Sequence, residues 1–217
     1  MILNINKPAD WTSFDVVKKI RNITRRKKVG HGGTLDPFAT GVLVVATDSD
    51  TKKLGMISSE RKSYKGRIKL GAETDTLDPE GTVIKTRDIP DLTPDEVNEV
   101  FARYQGNIEQ IPPMYSAKKV GGKKLYEYAR KNIEIERKPS SITIYALELL
   151  ALNLPYIDFS VSCSKGTYIR VLARDIAADL HTCGYLVSLV RTQVGPYTLE
   201  TAVTMKDFTE QWLSTKN

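Results

Sequence analysis

GHGGTLDPFATG, Gly30 to Gly41, sets a single carboxylate, Asp36, in a turn of small and rigid residues. Gly32 and Gly33 permit backbone angles closed to other residues. Pro37 fixes its own φ and drives Asp36 out of helical geometry. A carboxylate held this stiffly suits chemistry better than solubility. Immediately downstream, Val42 to Ala46 is a continuous apolar run, the pattern of a buried strand.

Working outward, Ile2 to Ile5 reads as a short strand. Thr12 with Asp15 forms a capping-box pattern. The helix that follows is expected to bury Val16, Val17, Ile20 and Ile23, and to end at Gly30. Tyr64 to Leu70 reads as another strand. Thr93, Pro94 and Glu96 open a second helix, with Val97, Val100, Phe101 and Tyr104 on one face. Ile142 to Leu150 is strand-like. Ile157, Phe159, Val161 and Cys163 alternate as in a half-buried antiparallel strand. Ile169, Leu172, Ala173, Ile176 and Leu180 mark a third helix, closed near Gly184. Strands and helices mix without regular βαβ alternation. The expectation is therefore α+β with a mostly antiparallel sheet.

At 217 residues, 41% of them hydrophobic, the chain suits one large domain or two small ones. No apolar run reaches the length of a membrane span, and MILNINKPADW lacks the pattern of a signal peptide. Cys163 and Cys183 then read as buried thiols in a reducing, cytoplasmic compartment. Two cysteines and two histidines, none at ligand spacing, argue against a structural zinc site. The net charge of +6 is unevenly spread. Lys18 to Lys28 carries seven basic residues and no acid, and Lys118 to Lys138 carries eight against three acids. Glu73 to Glu99 carries nine acids against two bases. Two basic segments in a chain of this charge point to nucleic acid. TLDP recurs at Thr76 to Pro79 without the flanking HGG and ATG, and Asp78 is read as a residue of an acidic surface loop.

The Gly30–Gly41 stretch resembles the active-site motif of the TruB family of tRNA pseudouridine synthases. Further blocks resemble that family in order: LNINKPADWTS, KSYKGRIKLGAETDTLDPEG, QIPPMYSAKKVGGKKLYEYAR, CSKGTYIRVLARDIAADL and SLVRTQVGPY. The resemblance implies the pseudouridine synthase fold, with a central mixed sheet, flanking helices and a central catalytic cleft. It implies a catalytic domain over 1–217, with a thumb-like RNA-binding insertion at 112–138. It is closest to a short form without the C-terminal RNA-binding domain of the PUA type. Val190 stands where the family often has a first arginine after the leucine. The tail after Met205 is short, with Lys206 and Lys216 offset by Asp207 and Glu210.

The resemblance also implies residue roles. Asp36 takes the catalytic position and Arg170 the position that pairs with the catalytic carboxylate. Tyr64 matches the tyrosine stacked on the target base, and base stacking contributes about 1–3 kcal/mol. Tyr168 and Leu189 match positions lining the uracil pocket. His31 matches the residue that inserts where the flipped nucleotide leaves its loop, and following a basic helix it is expected to be exposed. Lys7 matches a recurring lysine beside the active-site turn. His181 reads as a helix-capping or surface residue. Lys118, Lys119, Lys123 and Lys124, interleaved with Tyr115, Tyr126 and Tyr128, suit a segment that closes on RNA, with Gly121 and Gly122 giving it flexibility.

Pseudouridine formation breaks the bond from ribose to uracil nitrogen, turns the base, and rejoins it through carbon. It needs no redox step and no phosphate activation, so no cofactor is expected, and the resemblance implies that one aspartate suffices without a metal. The carboxylate's part is attack on the sugar, attack on the base or removal of a proton. The implied substrate is uridine 55 in the T-arm stem-loop of tRNA, with no membrane and no obligatory protein partner. The alternative is a non-catalytic RNA-binding or tRNA-folding protein on the same fold. A phosphate-loop enzyme is excluded because no GxxxxGK[ST] is present.

Overall fold

The computed structural model describes residues 1–131 and 133–214. Asn132 of the expected insertion and Lys216 of the tail lie outside the described residues. The strands in chain order are β1 (Ile2–Lys7), β2 (Val29–His31), β3 (Thr40–Thr47), β4 (Lys62–Leu70), β5 (Ala72–Thr74), β6 (Val83–Thr86), β7 (Gly106–Gln110), β8 (Lys119–Val120), β9 (Lys123–Lys124), β10 (Ser140–Asn153), β11 (Tyr156–Cys163), β12 (Gly184–Val194), β13 (Tyr197–Thr198) and β14 (Val203–Thr204). The α-helices are α1 (Ser13–Thr24), α2 (Leu54–Ser59), α3 (Pro94–Tyr104), α4 (Leu125–Ala129), α5 (Ile169–Asp179) and α6 (Met205–Ser214). The chain folds as two compact units, Met1–Lys65 with Ser188–Asn217, and Gly66–Val187.

In the first unit β3 is the central strand. β1 lies antiparallel to it, with Ile5 opposite Leu43, and β2 also pairs with it antiparallel. β12 runs parallel to β3, with Arg191 opposite Gly41, and β14 runs parallel to β1. Leu43 and Val45 of β3 pack with Val16, Val17 and Ile20 of α1 and Met205 and Phe208 of α6. Val42 and Val44 face the other way, onto Ile57 of α2 and Val194 of β12. Helices thus cover both faces of β3. That is why its sequence is continuously apolar rather than alternating.

In the second unit β10 is the long strand, antiparallel to both β11 and β7. β11 buries Ile157, Phe159, Val161 and Cys163 as its alternation predicts. Phe101 of α3 meets Phe159 edge-to-face with ring centroids 6.4 Å apart. Both predicted capping boxes are present, Thr12 with Asp15 and Thr93 with Glu96. The architecture is α+β: β1 with β14 and β12 with β3 pair parallel, whereas β1 with β3, β2 with β3, β7 with β10, β10 with β11 and β12 with β13 pair antiparallel.

Several expectations need correction. α1 ends at Thr24, where Arg25 itself adopts a left-handed conformation and donates its N–H to the Arg21 carbonyl. Gly30 lies in β2, so the basic run is split between a helix and the link into a strand. Leu180 caps α5, and His181 follows it exposed and at φ 62°, in line with the surface reading. Gly184 instead begins β12, where a Cβ would sit 2.8 Å from that of Ala177. Asp78 is not a surface residue. It is 4% exposed, its carboxylate accepting from the Thr76 hydroxyl and the Glu80 N–H. Gly121 and Gly122 both take positive φ in the tight turn between β8 and β9, a geometry that glycine admits.

Candidate functional site: the Asp36 turn and its supports

The turn carrying Asp36 is held from several sides within the first unit. Before the carboxylate, the Gly32 N–H donates to the Val44 carbonyl at 2.8 Å. The Leu35 N–H donates to Ser13 Oγ at 2.8 Å, and Ser13 Oγ–H returns a bond to the Leu35 carbonyl at 3.1 Å. After it, the Ala39 N–H closes on the Asp36 carbonyl, and the Asp10 N–H reaches the Pro37 carbonyl. Ser13 is 2% exposed, so its exchange with Leu35 is shielded from water.

Two buried cations complete the support. Lys7, 0% exposed, donates from Nζ to the carbonyls of Pro8, Trp11 and Pro37 at 2.6–2.9 Å. Arg191, 2% exposed, donates from Nε to the Val42 carbonyl at 2.7 Å, from Nη1 to Thr34 and from Nη2 to Gly33. A buried charge is tolerated only when its donors are met, and here main-chain carbonyls meet them. The final glycine of the motif follows from the same packing. Gly41 has φ 100°, and a Cβ there would lie 2.2 Å from the Arg191 carbonyl oxygen. Reading SLVRT singles out the missing arginine at Val190 and passes over Arg191, whose signal was an arginine inside an alternating strand pattern.

Of the residues that sequence marks in this unit, Lys7 and His31 touch the Asp36 turn directly. His31 accepts the Gly33 N–H at Nδ1. It is half-buried rather than exposed, and burial, then the Arg191 charge, lowers its pKa from the usual 6.5. Its imidazole is therefore neutral at physiological pH. Asp36 itself is half-buried. Tyr64 on β4 and Leu189 on β12 are buried, at 7% and 5% exposure.

Arg170 and Tyr168 sit in the second unit at the start of α5. Arg170 is 4% exposed and donates to the carbonyls of Thr76 and Tyr115, with Nη1 3.4 Å from Asp78 Oδ2. The second TLDP turn thus presents its carboxylate to an arginine. The half-buried Tyr168 is the N-cap residue of α5, and Gln110 grips it at both backbone atoms, accepting from its N–H at 2.7 Å and donating to its carbonyl at 3.1 Å. Gln110, 4% exposed, went unmarked in the sequence. The insertion is a small hairpin and helix fixed by the fully buried Leu125. Lys119 and Lys123 are exposed, Lys118 is bonded to Ser140, and Lys124 and Arg130 flank the Tyr126 ring at 5.3 Å. Among the described residues, no three His, Cys, Asp or Glu side chains group as a metal site requires. Nor is any helix there long and apolar enough to cross a membrane.

The family model described as TruB family pseudouridylate synthase (N terminal domain) matches residues 21–169. The model for the tRNA pseudouridylate synthase B C-terminal domain matches 170–217. The tRNA pseudouridine synthase B of Clostridium tetani is 47% identical over 210 residues, 97% of this chain and 73% of its own length. That of Clostridium kluyveri is 46% identical over 205 residues, 94% of this chain and 71% of its own. Among solved structures, a chain in the crystal structure of a Cbf5-Nop10-Gar1 complex superposes with a TM-score of 0.80 at 28% identity. It matches all of this chain, which spans 55% of its length. A chain in an H/ACA RNP bound to a substrate RNA containing 2′-deoxyuridine gives a TM-score of 0.75 at 26% identity, over 99% of this chain and 54% of that one. The expected fold is thereby established, and the chain belongs to the TruB family of pseudouridylate synthases.

Proposed function

We propose that this chain converts uridine 55 in the T loop of tRNA to pseudouridine, with Asp36 as the reacting carboxylate. The observation that carries the reading is the support of its turn. Lys7, Ser13 and Arg191, each at most 2% exposed, direct their polar atoms to the main chain from Gly33 to Val42. Positioning of this kind is what a reacting group needs, and a module that only binds RNA gains nothing from it. The reaction releases uracil N1 from ribose C1′, turns the base and bonds C5 to C1′; C5 gives up its hydrogen as a proton and N1 takes one up. Atoms and electrons balance without any cofactor.

The other roles follow the family motif. Arg170 serves the reacting carboxylate. Tyr64 stacks on the base, Tyr168 and Leu189 line its pocket, and neutral His31 fills the place the base leaves in the loop. Lys119 and Lys123 add salt-sensitive affinity for the T arm. The reaction belongs in the cytoplasm, where the buried thiols Cys163 and Cys183 stay reduced. The test is to incubate purified protein with unmodified tRNA transcript and map pseudouridine by carbodiimide primer extension. A single stop at position 55 is expected; no stop, or stops only elsewhere, would refute the assignment.

A further inference from the structure

We propose that Arg191 is a positioning residue for the reaction: its guanidinium clasps the two arms of the Asp36 turn and holds the carboxylate in register. The proposal rests on the reaction assigned above. Three observations carry it.

The first is geometry. Gly33 and Thr34 precede Asp36, and Val42 follows it. One planar group donates to the carbonyls of all three, at 3.1, 3.2 and 2.7 Å. The turn is thereby closed across its base by a side chain from β12, far away in sequence. Three donors fixed in one plane set the spacing of the arms, which a flexible ammonium cannot do.

The second is the partner set. Among the described residues, no carboxylate lies within ion-pair distance of Arg191, so its charge is met by carbonyl dipoles alone. Buried charges are ordinarily paired with an opposite charge, whereas this one is directed to the carbonyls of the turn itself. Here a positive charge is kept beneath the turn that carries the acid proposed to react.

The third is the backbone. Arg191 lies opposite Gly41 in the parallel pair of β12 and β3, at an approach that only glycine allows. The strand register that places the arginine is therefore written into the motif it supports. The same charge contributes to keeping His31 neutral at the start of the turn.

The experiment compares Arg191→Lys and Arg191→Met with wild type. Val194→Ala serves as a control, because Val194 is buried on the same strand but makes none of these bonds. Single-turnover conversion of saturating T-arm RNA is measured at a temperature where each variant is folded, together with the Kd for RNA. Amide exchange at Ala39, whose N–H is bonded to Asp36, is followed as well. The proposal expects conversion to fall about tenfold in Arg191→Lys and about a hundredfold in Arg191→Met. Kd should stay within about threefold, exchange at Ala39 should rise at least about tenfold, and Val194→Ala should keep its rate. If Arg191→Met does not fold, Arg191→Lys decides. Conversion within about threefold of wild type in the folded variants would overturn the clasp, as would equal loss in Val194→Ala or unchanged exchange at Ala39. If wild type itself converts no uridine while exchange still rises in the arginine variants, the assigned reaction fails and the clasp stands.

Discussion

Arg170 Nη1 lies 3.4 Å from Asp78 Oδ2, with the two side chains 4% and 5% exposed. Asp78 in turn accepts from the Thr76 hydroxyl and the Glu80 N–H, so the arginine is anchored in a formed loop. Removing one member of a buried ion pair typically costs about 3 kcal/mol, because the remaining charge loses one of the groups that compensate its burial. Asp78→Ala should lower unfolding stability by that order in urea titration. It should also reduce turnover more than RNA binding, because Arg170 loses its orientation. Unchanged stability and unchanged kcat in Asp78→Ala would show that the anchor does nothing.

Gly41→Ala should be poorly tolerated. The new methyl would approach the Arg191 carbonyl to 2.2 Å, at a φ of 100° that alanine rarely adopts. Backbone strain of this kind costs about 1–3 kcal/mol before the clash is counted. Thermal unfolding gives the comparison. A Tm within a degree of wild type would contradict the close approach.

His31 supplies a pH signature. Its pKa is lowered from 6.5, first by burial and then by Arg191. Below pH 6.5 the unfolded chain takes up a proton that the folded chain refuses. Stability linked to this group is thus complete above pH 6.5 and is lost as pH falls through the lowered folded value. NMR titration of the imidazole should give a midpoint below 6.5, and His31→Gln should flatten the fall in Tm over that window. A midpoint at or above 6.5 would contradict the environment described.

Lys119 and Lys123 are exposed on the hairpin, whereas Lys118 is bonded to Ser140. Replacing Lys119 and Lys123 by glutamine should weaken all T-arm RNAs alike. It should also reduce the slope of log affinity against log salt by about 0.9 for each duplex phosphate that a lysine no longer neutralises. Filter binding over a range of salt reads both. An unchanged slope would show that these lysines do not touch the RNA.

Local grammar carried much of the fold. Capping boxes opened α1 and α3 where Thr12 and Thr93 predict them, and alternation placed β11 correctly. The errors came where a non-glycine residue took a left-handed angle. Arg25 ended α1 before Gly30 could, and His181 turned the chain before Gly184. At the site, Asp36 stands out in sequence because glycines and a proline crowd around it. Its supports do not. Arg191 and Ser13 act through main-chain atoms that are close only after folding, as Gln110 does at Tyr168 in the second unit, and such partners leave no spacing to read. Asp78 follows the same rule: its acidic neighbours suggest a surface, and the buried arginine that changes its meaning lies at position 170.

The most direct measurement follows tritium released from tRNA labelled at C5 of uridine, for wild type and for Asp36→Asn. Joining C5 to the ribose expels its hydrogen, so release counts the reaction itself. The amide is nearly isosteric with the carboxylate but cannot act as nucleophile or base. Wild type should release the label of one uridine per tRNA. Asp36→Asn should release none while keeping its RNA affinity within about tenfold. Release by Asp36→Asn at a rate near that of wild type would contradict the account, because the chemistry would then belong to another group.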